Sequence, residues 1–407
     1  MPLDISASQT LSQNPVFLHP YGLPNYQTVG QALSDYTGDD HIHVLYPRKI
    51  ESAAREFVNF FPGQVLYAVK ANPHPLVLKV LWDQGVRQFD VASRREIDLV
   101  HSLLPEAQLF LMHPVKSRAL IAHAYSLGVR DFAFDCDAEL EKILACTSGA
   151  PDLHLHLRLS LPKGRARMPL SGKFGADFHT ATYLLKKSRT FAQSLGVCFH
   201  VGSQCLAVDD YAKAISYVRC VIDESAVSID SLDLGGGFPV AYPDMPTIPM
   251  VDYFTSISAS LCKHDFSHLT ILGEPGRALC ASGGSTLARI ELRKGTDLYL
   301  NDGTYGTLFD AGQFAWKFPV HLHKHRSKYE VGPMQDFRFF GPTCDSVDVM
   351  EGPFRLPCDA CEGDWVEIMH LGAYGQALSS RFNGFHSDTT ITVLEASPVP
   401  ELSGIIS

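Results

Sequence analysis

A chain of 407 residues with 45% hydrophobic and 19% charged residues is long enough for two domains and has the composition of a globular enzyme, not of a disordered or fibrous chain. Its formal net charge of −10, with no dense Lys/Arg run, argues against nucleic acid or an anionic membrane surface as a partner. No apolar segment reaches bilayer-spanning length, and MPLDISASQTLSQNP lacks a basic stretch followed by an apolar core, so a cytoplasmic protein without membrane contact is expected.

Taken in chain order, the first 41 residues contain no helix of convincing length. From about Ile42 to Pro275, short apolar strands alternate with amphipathic segments. The strands are QVLYAVKA, FDVAS, QLFLMH, DFAFD, HLHLRLS, VCFHVG, SLDLGGG and LTILGEP; the helical segments include PHPLVLKVLWDQG, RREIDLVHSLL and AVDDYAKAISYVRCVIDE. Strand and helix alternating over this length predict a parallel α/β domain. Eight units in about 230 residues favour a closed (β/α)8 TIM-like barrel over an open sheet, and polar residues and glycines right after the strands fit chemistry at the barrel mouth. Beyond Pro275 the segments STLARIELRK, DLYLND, FPVHLHKH, FRFFGPT, DWVEIMHL and TTITVLEA predict a mainly antiparallel β domain. The expected division is therefore 1–41, joining the β domain; 42–275, the barrel; and 276–407, the β domain.

The ten cysteines have no framework spacing and most sit in apolar runs, which predicts buried reduced thiols. The one CxxC, Cys358 to Cys361, has no second pair, and no metal or redox role is assigned to it. His154 and His156 in HLHLHL, and His321, His323 and His325 in HLHKH, alternate as strand residues do and are expected to be satisfied structural histidines.

The chemistry centres on VLYAVKANP, where an apolar β-branched run stops at Lys70. A strand-end lysine is often a snorkelling cation; partly desolvated at a barrel mouth, it becomes a nucleophilic amine. Three later strand ends suit a phosphate. LDLGGGFP brings Gly235, Gly236 and Gly237, GEPGR brings Gly276 and the fork of Arg277, and HVGSQ brings the Ser203 hydroxyl, so backbone N–H groups and a guanidinium can converge on an anion. A reactive amine beside such a site describes an aldehyde bearing a phosphate, pyridoxal phosphate (PLP).

The ordered set YAVKAN, FDVASRREI, HVGSQ, DLGGGFP, GEPGR, NDGTYG, GPTCDSVD, GDW, GAY and FNGF resembles the fold-type III PLP-dependent decarboxylases of ornithine, lysine, arginine and diaminopimelate, from about residue 40 onward. GPTCDSVD with FNGF leans towards the ornithine/lysine branch. The resemblance implies an alanine racemase-like barrel plus β domain and a homodimer with active sites at the interface. It implies that Lys70 carries PLP through its amine, that Glu274 faces the pyridine nitrogen and that His200 stacks on the ring. A carboxylate keeps that nitrogen protonated, so the ring accepts the electrons released with CO2. Ser203, Gly237, Gly276, Arg277 and Tyr374 are expected to hold the phosphate, Asp90 and Glu96 to support the lysine and cofactor, and Arg158 to back this set. In GPTCDSVD, Cys344 is expected to return a proton to the substrate carbon from the neighbouring subunit, and Asp345 to receive the distal ammonium of a diamino acid, with Tyr305 and Phe382 beside it.

One position departs from the pattern. In ornithine decarboxylases the segment after NDG-x-YG leads into a Tyr-Asp pair whose acid helps bind the distal amine. Counted from Tyr305, Gln313 and Phe314 stand there, with Asp310 nearby but out of register. His113 in LMHPVK is a smaller departure. The expected activity is decarboxylation of a basic L-amino acid, ornithine or lysine, to its diamine in a polyamine context. The alternative is a different or N-substituted diamino acid, because Phe314 replaces an acid. An amino-acid racemase is disfavoured by Glu274, and a non-catalytic regulatory homologue by the joint presence of Lys70, Glu274, Arg277 and Cys344.

Overall fold

Eight parallel strands close into a barrel: β1 (Gln64–Ala68), β2 (Gln88–Asp90), β3 (Gln108–Leu111), β4 (Asp131–Phe134), β5 (His154–Arg158), β6 (Ser194–Cys198), β7 (Ser231–Asp233) and β8 (Thr270–Gly273). Each pairs with its sequence neighbour, and β8 returns to β1. The computed structural model describes residues 17–18, 22–162, 164, 166–168, 172–325 and 332–399. The described residues fall into two compact units. One holds Ser52–Val240 with Thr247–Leu279; the other holds the chain up to Glu51, Ala241–Pro246 and the chain from Cys280 onward.

Helices follow the barrel strands, and local chemistry starts them. Pro75–Asp83 opens on Pro75, with His74 Nδ1 accepting from Leu76 N at 3.1 Å; a proline costs nothing where the N–H would be unpaired anyway. Arg94–Leu103 starts with a reciprocal cap, in which Ser93 Oγ accepts from Glu96 N (3.3 Å) and Glu96 Oε2 from Ala92 N (2.6 Å). Such a cap pairs two donors that the first helical turn leaves open. The buried faces of these helices, for example Leu76, Val77, Val80 and Leu81, cover the strands from outside.

In the second unit the long strand Gly284–Lys294 is the organiser. It pairs antiparallel with Ile42–Leu45, with Trp365–Met369 and with Asp297–Leu300. Parallel pairs also occur, Thr390–Val393 with Ile42–Leu45 among them, so the sheet is mainly antiparallel. The division differs from the sequence expectation in three places: residues 42–51 and Ala241–Pro246 go with the sheet, and residues 276–279 with the barrel. Residues 42–51 belong with the sheet, because the strand Ile42–Leu45 finds its partners there. All four of its residues are buried, and a short, wholly buried run looks alike in a barrel and in a central sheet strand.

Of the alternating histidines, His154, His156 and His323 have hydrogen-bond partners. On the barrel floor Asp131 is shared by His156 Nε2 (2.9 Å) and His154 Nδ1 (3.3 Å). His323 Nε2 meets Glu367 at 2.9 Å, and Ser285 Oγ donates to the same carboxylate at 2.9 Å. The ten cysteines are free thiols, of which only Cys198, Cys205 and Cys280 are fully buried. Cys136, Cys220, Cys262, Cys344 and Cys361 are exposed, so burial is not their common feature.

Burial pushes the Asp131 carboxyl up, but hydrogen bonds from His154 and His156 outweigh it and hold it below its ordinary value. The same bond raises His154. The acid side of this stabilisation is present above the unfolded value of about 3.9 and is lost as pH falls through the depressed folded one. The His154 side is complete below about 6.5 and is lost as pH rises through the raised value. Asp131→Asn should therefore destabilise the fold by about 2 kcal/mol near pH 5 and by less at pH 8, which urea unfolding at the two pH values checks.

Candidate active site

At the C-terminal ends of the barrel strands the predicted residues converge. Lys70 sits in the tight turn Val69–Ala71 directly after β1, and its Nζ lies 3.2 Å from Asp90 Oδ2 at the end of β2. The lysine side chain is 48% exposed and the aspartate 4%, so the amine reaches outward from a buried anion. Glu96 stands on the next turn as the helix cap; burial raises it, and Asp90 and Lys70 act on it electrostatically. Arg158 ends β5. His200 follows β6, and its Nδ1 accepts from Gly202 N at 2.9 Å. Burial holds its imidazole well below the usual range, and Arg158 and Lys70 add to the effect. A neutral ring whose Nδ1 accepts carries its proton on Nε2.

After β7 the glycine turn is fixed from several sides. Gly235 N donates to Asp233 Oδ1 at 2.8 Å, Gly235 O accepts from Glu274 N at 2.8 Å, and Gly236 O accepts from Tyr211 Oη at 3.0 Å. Gly235 and Gly237 have φ of 66° and 102°, and a Cβ on them would lie 2.1 Å from Phe199 O and 2.3 Å from Gly202 O. Only glycine adopts that backbone at such approach. Ser203 is held by paired backbone bonds with Met168 (3.0 and 3.2 Å). Gly276 and the buried Arg277 follow β8, where a Cβ on Gly276 would sit 2.9 Å from Ala71 Cβ. Glu274, at the same strand end, is 4% exposed. Burial pushes its carboxyl well above the usual range, with Asp233 and Asp90 adding to the effect. The barrel mouth thus carries an accessible amine, a neutral imidazole, a buried acid and a bare-backbone turn.

The sheet unit carries the second group. Tyr305 Oη donates to Asp345 Oδ2 at 2.6 Å, and the Tyr305 and Phe382 rings lie 4.6 Å apart. That hydrogen bond, with Val347 N–H, holds the Asp345 carboxyl below its ordinary value. Cys344 is exposed, with Sγ 3.4 Å from Asn383 Oδ1. Tyr374 lies in this unit with φ 59°. Phe314 ends the short helix Phe309–Gln313 and is 40% exposed, its ring 5.9 Å from Phe309. Asp310 in the same helix is buried at 6% exposed, so it is turned inward while Gln313 and Phe314 at the helix end are exposed.

Three residues in the quoted motifs went unassigned in the sequence. Asp348 accepts from Thr304 N (2.7 Å), Thr343 N (3.1 Å) and Thr343 Oγ1 (2.7 Å), tying the Cys344–Asp345 loop to NDGTYG. Asn383 bonds the thiol, and Asp233 braces the glycine turn. Only the Asp at the end of GPTCDSVD carried a hint, as an apolar-flanked acid. Asp348→Ala would remove a buried carboxylate and its three hydrogen bonds to the loop and should cost about 3 kcal/mol of stability, measurable by chemical denaturation.

PLP fits this barrel mouth. Among the described residues Glu274 Oε1 is buried without a hydrogen-bond partner, an acceptor suited to a protonated ring nitrogen, and the turn Gly235–Gly237 packs directly on the backbone of Phe199, Gly202 and Glu274 with no room for a Cβ.

Comparison with known proteins gives the same picture. Residues 47–281 match the family model for the pyridoxal-binding domain of pyridoxal-dependent decarboxylases, and residues 211–372 match that for their C-terminal sheet domain. The chain is 31% identical over 336 residues to the lysine/ornithine decarboxylase of Selenomonas ruminantium, covering 80% of this chain and 82% of that one. Among solved structures it resembles SrLDC in complex with PLP and cadaverine, with TM-score 0.77, 28% identity, and 89% and 92% of the two chains covered. It also resembles the arginine decarboxylase of Paramecium bursaria Chlorella virus, with TM-score 0.80, 26% identity, and 90% and 99% covered.

Proposed function

The chain belongs to the pyridoxal-dependent decarboxylases of basic amino acids, and from that premise we propose that it converts L-ornithine or L-lysine to the corresponding diamine and CO2. The observation that carries the substrate class is the Tyr305–Asp345 bond of 2.6 Å. It keeps an anion ionised in the sheet unit, ready for a distal ammonium. The proposal places the enzyme in the cytoplasm, in polyamine synthesis, as a homodimer whose sites are shared between chains.

Bound at the barrel mouth, PLP supplies the electron sink for the bond to the α-carboxylate. The chain's residues do the rest. Lys70 would offer its neutral amine to the cofactor carbonyl, with Asp90 Oδ2, 3.2 Å from Nζ, orienting the side chain. His200 would lie against the ring as a neutral imidazole, and Glu274 would face the ring nitrogen. Ser203, Gly237, Gly276, Arg277 and Tyr374 take the phosphate, backed by Arg158. Asp345 holds the distal ammonium against Tyr305 and Phe382. Cys344, oriented by Asn383, gives its Sγ proton to the α-carbon after CO2 has left.

The test is mass-spectrometric detection of amine product from PLP-loaded protein with ornithine, lysine, arginine, diaminopimelate and diaminobutyrate. Turnover of ornithine or lysine above the others supports the proposal, and preference for another member overturns it. A second reading rests on Phe314, 40% exposed where the resemblance implies an acid. A substrate with an N-substituted or longer tail would pack on that ring, and no turnover of the whole panel by protein that retains its cofactor would favour it.

A further inference from the structure

Asp233, at the end of β7, is fully buried, and Glu274 at the end of β8 is 4% exposed. The backbone sets the two side by side, since Asp233 pairs with Leu272 of β8 and Glu274 N donates to Gly235 O at 2.8 Å, and among the described residues Asp233 Oδ2 and Glu274 Oε1 are each buried without a hydrogen-bond partner. Two buried carboxyls side by side cannot both ionise without large cost, and one shared proton relieves the contact. Asp233 Oδ1 already accepts the Gly235 N–H at 2.8 Å, which favours the charge on Asp233 and the proton on Glu274.

We propose that Asp233 is a positioning residue that keeps a proton on Glu274 for delivery to the ring nitrogen of the bound cofactor. The inference rests on Glu274 facing that nitrogen. On binding, the Glu274 O–H bond breaks and a ring N–H bond forms. Glu274 becomes the carboxylate that faces the new cation, and Asp233 keeps the surroundings negative so that the proton stays on nitrogen. The same aspartate braces the Gly235 turn, so one residue couples the ring end of the site to its phosphate end. The other charged or titratable groups acting on the pair are Asp90 from β2, Lys70 after β1, His156 and Arg158 from β5, and the buried Cys198 thiol from β6.

The test uses whole protein loaded with PLP labelled with 15N in the ring, whose NMR shift reports the proton on that nitrogen. Asp233→Asn keeps an oxygen for Gly235 N–H and preserves the shape. The nitrogen should lose its proton at a pH lower by about one unit or more, a tenfold change in proton affinity. Glu274→Gln should shift the same titration at least as far. If Glu274→Gln shifts it and Asp233→Asn does not, the role of Asp233 is overturned. If neither shifts it, the placement of Glu274 itself falls, and this inference with it. Infrared difference spectra of unsubstituted protein give a check that needs no variant. A protonated carboxyl band should be lost when PLP binds, and an unchanged band overturns the proposal.

Discussion

Lys70→Ala is expected to reduce turnover by about a thousandfold or more, with loss of the absorbance of protein-linked cofactor. The fold should survive, because the lysine side chain is half exposed and its loss leaves Asp90 beside a site open at the mouth. Cys344→Ala should also be nearly inactive, but should keep its cofactor absorbance, since the thiol lies in the sheet unit and not in the barrel. The two variants therefore fail for different reasons. If two chains share each site, mixing them and allowing exchange forms hybrid dimers in which one site has both an intact Lys70 and an intact Cys344. Random exchange should restore about a quarter of the unsubstituted activity. No recovery in a mixture whose subunit exchange is confirmed would end the shared-site proposal.

The barrel was legible because its signal is local. Each of the eight strands is a short run, and most site residues of the barrel stand where such a run ends, Lys70 after β1, Asp90 at β2 and Glu274 after β8, while Glu96 lies in the helix Arg94–Leu103. The strand Ile42–Leu45 was assigned to the wrong unit because its pairing with Gly284–Leu287 spans about 240 residues of chain, and no periodicity carries that information. The same limit hid Asp348, whose carboxylate acts on Thr304 across 44 positions, and Asn383, which meets Cys344 across 39. Asp233 was hidden differently. It lies inside a quoted motif, but an acid at a strand end reads as a turn residue until Glu274 is seen against it. At the distal-amine position, counting along the chain identified Phe314 and Asp310 but could not say which is exposed. The helix Phe309–Gln313 decides that by burying Asp310.

Asp345→Ala should raise the KM for ornithine or lysine by about a hundredfold, with a much smaller change in kcat. On the proposed placement the carboxylate would meet a part of the substrate remote from the bond that breaks, so its contribution would be made equally in ground and transition states. An amino acid of similar length with an uncharged tail should gain or lose little, which separates loss of an ion pair from general damage to the loop. Tyr305→Phe should act in the same direction and more weakly. Its hydroxyl is the first cause of the depressed Asp345 carboxyl, so removing it moves the acid-side loss of substrate affinity to higher pH. In the unsubstituted enzyme that loss begins only as pH falls below the ordinary carboxylate range. Steady-state KM measured from pH 5 to 8 for both variants tests this. If Asp345→Ala leaves the KM for the cationic substrate unchanged, the distal ammonium is received elsewhere, and the exposed Phe314 face becomes the part of the site that sets the substrate.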